Sequence, residues 1–203
     1  MKLYDGGKAP NPRRVRVFLK EKGIEVPLVP VDLVTMAHKS AEFTAINPLQ
    51  RVPALVLDDG TIITESIAIC RYFEALHPEP ALFGKGAREA AVVEMWQRRM
   101  EFQLLTQVGH VFRNSHPVMK EWEVPQVAAW AEANKPRVLD FLKLLDDELK
   151  DRQFAAGDTF SVADITGLIG IDFMKPAKMV VPDEFTNVKR WHAELSARPS
   201  AAA

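Results

Sequence analysis

The sequence predicts an α/β domain followed by an all-helical domain, and two observations support this prediction. Short aliphatic and β-branched runs alternate with helical patterns over residues 1–76, whereas the apolar residues beyond position 87 recur only at helical spacing. A Pro- and Gly-rich segment, residues 77–87, separates the two patterns, which is where a domain boundary is expected. We therefore assign residues 1–76 to the α/β domain, 77–87 to a linker and 88–203 to the helical domain.

Composition excludes several classes of function. The chain has 203 residues with a formal net charge of −1, so it has no overall basic field for nucleic acid or an acidic membrane surface. No apolar run approaches the roughly 20 residues that cross a bilayer. The single cysteine excludes an internal disulfide and, without a recognisable signal peptide, predicts a cytoplasmic protein. The five histidines lack ligand spacing, so no metal site is predicted.

The first part of the chain predicts a βαβ unit. Residues 1–4 suit a strand, and Asn11-Pro12 predicts the start of a helix, with Asn11 as N-cap and the helix over 13–22. Gly23 then ends the helix in a left-handed cap. The uneven run 24–33 contains two prolines, which favours an edge strand.

A ββα unit follows after a polar loop over residues 38–49. Asp59-Gly60 lies between two aliphatic and β-branched runs, which is a strong hairpin signal. A helix is predicted over 66–76. The order βαβ-ββα is a thioredoxin-like layout, whose parallel unit is expected to close right-handed.

The second part of the chain predicts helices only. One long amphipathic pattern covers residues 87–113, and another covers 125–150, where Pro136 is expected to kink or split the helix. Ser161 and Asp164 form a variant capping box ahead of a helix over 165–173. A last helix is predicted over 187–197.

The hairpin and its flanks contain the main candidate site. Val52-Pro53 opens the first hairpin strand, and Glu65-Ser66 stands where strand spacing changes to helical spacing. A helix N-terminus has unpaired N–H groups and a positive dipole end, so it can hold a carboxylate ligand. If the Val52-Pro53 bond is cis, the Val52 N–H and C=O are free to pair with an extended guest.

These motifs resemble the glutathione-binding half of the glutathione S-transferase family, which has a Val–cis-Pro pair before the third strand and Glu/Asp-Ser at the start of the third helix. With the capping box, the resemblance covers almost the whole chain and implies a thioredoxin-like domain, a helical domain and a homodimer. It implies that Glu65 binds the ammonium and Ser66 the carboxylate of the γ-glutamyl end, while Val52, followed by Pro53, pairs with the cysteinyl unit. Gln50 and His38 correspond to positions that contact the glycyl carboxylate, with Lys39 and Arg51 as neighbouring alternatives.

The chain departs from the family where the thiol partner is expected. Residues 5–12 contain no Ser, Cys or Tyr, which are the groups that stabilise the thiolate in different classes. Two candidates remain: Asn11, whose amide can donate to a thiolate, and Tyr4, which lies inside the strand. Some similar bacterial proteins use an asparagine after a proline here, often with disulfide-bond reductase or peroxidase activity. The alternative is that Asn11 is only an N-cap.

Several other residues have a structural and a functional interpretation. Arg13 and Arg14 open the first helix, where an exposed basic face is expected and an acidic partner is the alternative. In the helical domain, Thr106 and His110 are candidates for the wall facing a second substrate, although a structural histidine is the alternative. Cys70 is expected to be a buried apolar residue.

The resemblance leaves two functions open. One is a glutathione transferase with a detoxification role, in which the thiolate attacks a small electrophile or reduces a peroxide or mixed disulfide. The other is a non-catalytic module of the same fold that binds glutathione or a protein. The resemblance implies glutathione as co-substrate, and the sequence does not identify the electrophile.

Overall fold

The computed structural model describes all 203 residues and divides into two compact units. Unit 1 comprises Met1–Leu82 with Ala202–Ala203, and unit 2 comprises Phe83–Ala201. The division between positions 82 and 83 falls inside the segment proposed as a linker. No helix combines the length and apolar character needed to cross a bilayer.

Unit 1 is a four-stranded mixed sheet with three helices, and its strand order is β2-β1-β3-β4. Strand β1 pairs parallel with β2 and antiparallel with β3, and β3 pairs antiparallel with β4. This arrangement confirms the βαβ unit, the hairpin and the edge position of β2, although β2 is far shorter than the predicted 24–33. The elements are β1 Lys2–Asp5, α1 Pro10–Lys22, β2 Leu28–Pro30, α2 Ala41–Ile46, β3 Ala54–Val56, β4 Ile62–Thr64 and α3 Ser66–Leu76.

Two local predictions in unit 1 are wrong. Helix α1 begins at Pro10 with Ala9 as N-cap, so Asn11 lies in the first turn and does not cap the helix. The reason is that Pro10 and Pro12 both fit the first turn, where backbone N–H groups have no intrahelical partner. The loop predicted over 38–49 contains α2, which Ser40 caps by accepting a hydrogen bond from the Phe43 N–H.

The two faces of the sheet hold different helices. Side chains alternate along a strand, so Tyr4 points away from the face of Leu3 and Asp5. The Asp5 carboxylate pairs with Arg16 of α1, whereas the Tyr4 ring packs edge-on against Phe43 of α2 at 5.9 Å. Helices α1 and α3 pack against each other.

Unit 2 is helical, as predicted, but its first long helix is interrupted. Residues 87–113 were expected to form one helix, and the structure has a π-helical segment, Met100–Leu105, between α4 and α5. The Gln107 side chain donates to the Phe102 carbonyl at 2.9 Å inside this irregular stretch. The helices are α4 Gly86–Arg99, α5 Thr106–Ser115, α6 Ala128–Glu148, α7 Val162–Met174 and α8 Thr186–Ser196.

Helix α6 continues through Pro136, so of the two expected outcomes the split is wrong and the kink stays a prediction. A proline inside a helix deprives the carbonyl four residues earlier of its partner, here the carbonyl of Glu132. Both Pro136 and Glu132 are exposed, so water can satisfy that carbonyl. The exposed position of Pro136 therefore explains why the helix continues past it.

The predicted capping box is confirmed at the start of α7. Ser161 is the N-cap, its side chain accepts from the Asp164 N–H, and the Asp164 carboxylate accepts from the Ser161 N–H at 2.9 Å. Asp164 also accepts from the indole N–H of Trp191 in α8 at 2.9 Å. The motif therefore fixes both the start of α7 and its contact with α8.

Candidate functional site

A buried arginine joins the N-terminal turns of α1 and α3. The Arg14 guanidinium donates to Ser66 Oγ from Nε at 3.2 Å and from Nη2 at 2.6 Å, and Nη2 also donates to Asn11 Oδ1 at 3.2 Å. Arg14 is 3% exposed and Ser66 is 4% exposed. The expected exposed basic face is therefore wrong for Arg14.

Sequence reasoning missed Arg14, although a weak signal was present. Arg14 lies four residues before the buried Phe18, so the two side chains share one face of α1. Its position in the apolar stripe, rather than its charge, indicated burial. The partner in α3 is 52 residues away and has no local signature.

Asn11 presents an amide nitrogen that the chain itself does not use. Guanidinium groups only donate hydrogen bonds, so the Asn11 oxygen must be the atom that faces Arg14. The Asn11 amide NH₂ is therefore turned away from Arg14, and Asn11 is exposed. A donor in this position can reach a ligand at the start of α1.

Glu65 has an unusual backbone conformation beside this cluster. Its φ is +64°, it is the N-cap residue of α3, and its side chain makes no capping hydrogen bond. A non-glycine residue in the left-handed region is sparsely populated, and such strain costs of order 1–3 kcal/mol and clusters at functional sites. The result is an exposed carboxylate directly before Ser66.

Val52 offers its backbone, as the sequence predicted. The Val52–Pro53 bond is cis, Pro53 is buried, and the Val52 N–H and C=O take part in no hydrogen bond within the chain. The loop after β1 lies against Val52, since a Cβ on Gly6 would approach Val52 Cγ2 to 2.6 Å. This contact brings the β1–α1 loop next to the segment that precedes β3.

The loop after β1 is held by Asp5. One Asp5 oxygen accepts from the Gly7 N–H at 2.8 Å, and the other pairs with Arg16. Arg16 also donates to the Gly7 carbonyl at 2.9 Å. The loop that leads into Asn11 is therefore anchored to α1.

Gln50 and His38 have different accessibilities. Gln50 is half-buried with φ +54°, and its amide donates to Thr44 Oγ1 at 3.0 Å. The His38 ring is 1% exposed, and burial, with Lys39 and Arg51 nearby, lowers the pKa of His38. A ligand contact with His38 would require the loop to move, whereas Lys39 and Arg51 are exposed.

Tyr4 does not join this group of residues. Its ring is half-buried against Phe43 of α2, and the Lys2 ammonium lies 5.4 Å from its centroid. Asn11, Arg14 and Ser66 are linked to one another through α1 and α3. Of the two candidate thiol partners, the structure connects only Asn11 to the start of α3.

Cys70 is a buried structural residue, as expected. Its side chain is 0% exposed, and burial raises the pKa of the thiol to about 12. The thiolate is the reactive form of cysteine, so this thiol is inert.

Thr106 and His110 lie on one face of α5 in unit 2. Thr106 begins the helix and His110 follows one turn later. Both are half-buried, and the His110 ring packs edge-on against Trp130 of α6 at 5.6 Å. Their role toward a second substrate stays a prediction.

Family models and known proteins match this chain over nearly its full length. Residues 1–75 match the glutathione S-transferase N-terminal domain, and residues 103–199 match the glutathione S-transferase C-terminal domain. Glutathione S-transferase 2 of Saccharomyces cerevisiae is 37% identical, over 98% of this chain and 87% of the relative. Glutathione S-transferase 3 of Zea mays is 30% identical, over 98% of this chain and 90% of the relative.

Solved structures have the same fold. A glutathione S-transferase domain-containing protein of Marinobacter aquaeolei is 37% identical, with a TM-score of 0.95 over 98% of this chain and 99% of that one. Gtt2 of Saccharomyces cerevisiae is 37% identical, with a TM-score of 0.94 over 100% of this chain and 99% of that one. A Gtt2-class transferase of Vibrio parahaemolyticus is 40% identical, with a TM-score of 0.86 over 98% and 94% of the two chains.

Proposed function

This chain belongs to the glutathione S-transferase family and is a glutathione transferase, and we propose that it binds glutathione at the starts of α1 and α3 and stabilises its thiolate with Asn11. The observation that carries the proposal is a set of unused polar groups around one linked cluster. The Asn11 amide nitrogen, the Val52 backbone and the Glu65 carboxylate are all available to a ligand, and Arg14 ties Asn11 to Ser66.

The γ-glutamyl end of glutathione would bind at α3. Glu65 offers a carboxylate to the ammonium, and Ser66 lies where the helix dipole favours a carboxylate. The Ser66 oxygen accepts from Arg14, and a hydroxyl that accepts hydrogen bonds still has its proton to donate. Ser66 can therefore donate to the γ-glutamyl carboxylate.

The remainder of the tripeptide would extend past Val52. The Val52 N–H and C=O can pair with the cysteinyl unit as a short antiparallel ladder, and Pro53 ends this unpaired stretch because it has no N–H. The glycyl carboxylate would then lie toward Gln50. Lys39 and Arg51 are exposed cations near His38 and can supply charge there.

The chemical task is to ionise the thiol of glutathione. A cysteine thiol has a pKa of about 8.5, and each unit by which the site lowers it corresponds to about 1.4 kcal/mol of thiolate stabilisation. A hydrogen bond from the Asn11 NH₂ favours the thiolate, and the positive end of the 13-residue helix α1 adds to it. Asn11 supplies a neutral donor where other classes use Ser, Cys or Tyr.

The thiolate would attack a small electrophile, forming a sulfur–carbon bond as a halide leaves or as a carbon–carbon double bond opens and takes up a proton. With a peroxide, the thiolate would break the O–O bond and take one oxygen as an alcohol or water leaves, and a second glutathione would then form glutathione disulfide and water. With a mixed disulfide, the thiolate would attack one sulfur and release the other as a thiol. Thr106 and His110 are the proposed wall for this second substrate. We also expect a homodimer, as in the family, and a cytoplasmic location, where glutathione is kept reduced.

The test combines binding with turnover. Calorimetry should detect saturable binding of glutathione to the wild-type protein and at least about tenfold weaker binding to Ser66→Ala, which removes a charge-assisted hydrogen bond. The wild type should consume an aryl halide or an organic hydroperoxide only with glutathione present. A wild type that gives no binding heat contradicts the proposed site, and one that binds without turnover of either substrate contradicts the proposed mechanism.

A further inference from the structure

Arg14 is a buried charge that donates hydrogen bonds to two residues of the proposed site. The side chain is 3% exposed, and a buried charge is costly unless hydrogen bonds compensate for its lost hydration. Its guanidinium contacts Ser66 Oγ twice and Asn11 Oδ1 once. Both of these acceptors are neutral side chains at the first turns of the two helices that would hold glutathione.

The contacts use the planar fork of the arginine side chain. Nε and Nη2 lie on one edge of the planar guanidinium and both donate to Ser66, while Nη2 also reaches Asn11. A lysine ammonium is a point charge on a flexible stem and has no fixed fork. Lysine at this position can reach one acceptor but does not hold both in fixed relative orientation.

We propose that Arg14 is a positioning residue, an inference that rests on the proposed function. Arg14 turns the amide nitrogen of Asn11 toward the bound thiol. It also donates to the Ser66 oxygen, so the Ser66 hydroxyl proton is available to the γ-glutamyl carboxylate. An asparagine amide can rotate to present either its oxygen or its nitrogen. The oxygen would repel a thiolate, whereas the NH₂ donates to it. Arg14 accepts no hydrogen bond, so its contact with Oδ1 selects the orientation that donates.

A direct electrostatic effect of the Arg14 charge is the competing explanation, and a double-mutant cycle separates the two. If Arg14 acts through Asn11, replacing Arg14 has no further effect once the Asn11 amide is gone. If its charge acts directly on the sulfur, a replacement that keeps the charge leaves the thiol pKa unchanged, with or without that amide. Arg14→Lys is the suitable variant because it keeps the charge and removes the fork.

The experiment measures the thiol pKa of bound glutathione from its thiolate absorbance in four proteins: wild type, Arg14→Lys, Asn11→Ala and the double variant. We expect Arg14→Lys and Asn11→Ala each to raise this pKa by about one unit, a tenfold loss of thiolate at a pH below it. The double variant should match Asn11→Ala. Arg13→Lys, one residue earlier on the same helix, is the matched control and should leave the value unchanged.

An unchanged thiol pKa in Arg14→Lys overturns the inference, and so does an equal rise in the presence and absence of the Asn11 amide. The wild-type curve tests the proposed function separately. A wild-type complex whose thiol titrates like free glutathione overturns both proposals, whereas a lowered value that only Asn11→Ala abolishes overturns the role of Arg14 alone.

A measurement on the wild-type protein covers the case in which Arg14→Lys fails to fold. Nitrogen-15 NMR should show the Arg14 Nε–H as a resolved signal that exchanges slowly with water, because it is buried and bonded to Ser66. Adding glutathione should shift the Asn11 side-chain NH₂ signals, and S-methylglutathione, which has no thiolate, should shift them less. An Arg14 Nε–H that exchanges as fast as in free arginine, or equal shifts with the two ligands, overturns the inference.

Discussion

Asp164 in unit 2 and Arg14 in unit 1 are both buried ionisable side chains at the centre of polar clusters. The clusters differ in how many neighbouring hydrogen-bonding groups have no partner within the chain. Asp164 accepts from the Ala155 N–H at 2.8 Å, from the N–H and hydroxyl of Ser161 at 2.9 and 3.1 Å, and from Trp191 at 2.9 Å. All of these donors come from within unit 2, and Asp164 is 0% exposed.

The Arg14 cluster, formed by Arg14, Asn11 and Ser66, is buried at its centre and borders polar groups that have no partner within the chain. Arg14 and Ser66 are buried, but Asn11 and Glu65 are exposed and Val52 keeps its backbone groups unpaired. A cluster that only stabilises the fold satisfies its own polar groups, whereas a binding site holds some groups rigidly and leaves others for the ligand. The comparison therefore indicates a structural role for Asp164 and supports the proposal that the Arg14 cluster belongs to a binding site.

The largest expected effect is on stability in unit 2. Asp164→Ala leaves buried donors from three residues without an acceptor, so urea denaturation should show a loss of about 3 kcal/mol or more. Asp158→Ala, an exposed carboxylate a few residues earlier, is the control and should change stability by less than about 0.5 kcal/mol. Equal losses of stability in the two variants would contradict the structural role of Asp164.

The next effect is on binding in unit 1. Glu65→Ala removes an exposed carboxylate but keeps a Cβ at the strained φ, so stability should be nearly unchanged. Glutathione affinity should fall by about 10- to 100-fold, since a hydrogen bond to a charged group contributes roughly 1.5–3 kcal/mol. Calorimetry measures this loss, and Glu42→Ala, an exposed carboxylate on α2, serves as control. Unchanged affinity in Glu65→Ala would contradict the site assignment.

A smaller effect is expected from Gly6→Ala. The added Cβ would meet Val52 Cγ2 at 2.6 Å and Leu33 Cδ1 at 3.0 Å, so we expect it to displace Val52 from the position proposed to pair with glutathione. We expect glutathione binding to weaken about fivefold, as for mild overpacking. Gly109→Ala, whose Cβ would have its nearest neighbour at 4.0 Å, should bind normally. Normal binding by Gly6→Ala would remove Val52 from the ligand contacts.

The smallest expected effect is on the pH dependence of stability. It involves His38, which is buried in unit 1 but lies outside the Arg14 cluster. Burial holds the pKa of His38 below its ordinary value of 6.5, so the unfolded chain takes up the proton first. The stability contribution is present above pH 6.5 and is lost as the pH falls through that value toward the folded pKa. Urea midpoints measured on both sides of this range should show the loss in wild type and less of it in His38→Gln. His77→Gln, an exposed histidine, should behave like wild type, and an undiminished loss in His38→Gln would contradict the assignment.

The sequence predicted what local patterns encode. The capping box spans four residues, the Asp59-Gly60 turn lies between adjacent strand-like runs, and α3 has its predicted bounds. The relatives confirm the predicted family and two-domain fold. This prediction was possible because several motifs occur together at fixed separations in the sequence.

The sequence did not predict features that depend on tertiary context. The Arg14–Ser66 contact spans 52 residues, and nothing in the sequence near either one points to the other. The π-helical segment, Met100–Leu105, lies where α7 comes close, since a Cβ on Gly170 would reach the Leu104 side chain at 2.8 Å. The spacing of apolar residues is the same with or without such packing, so it did not predict the interruption of the helix.

Thiolate stabilisation by Asn11 is tested most directly by the thiol pKa of glutathione bound to wild type and to Asn11→Ala, read from thiolate absorbance across pH. We expect a bound pKa well below the free value of about 8.5 and a return upward in Asn11→Ala. A lowered value that survives the substitution would contradict the role of Asn11 and assign the effect to the α1 N-terminus or Tyr4. A wild-type value equal to that of free glutathione would contradict thiolate stabilisation altogether.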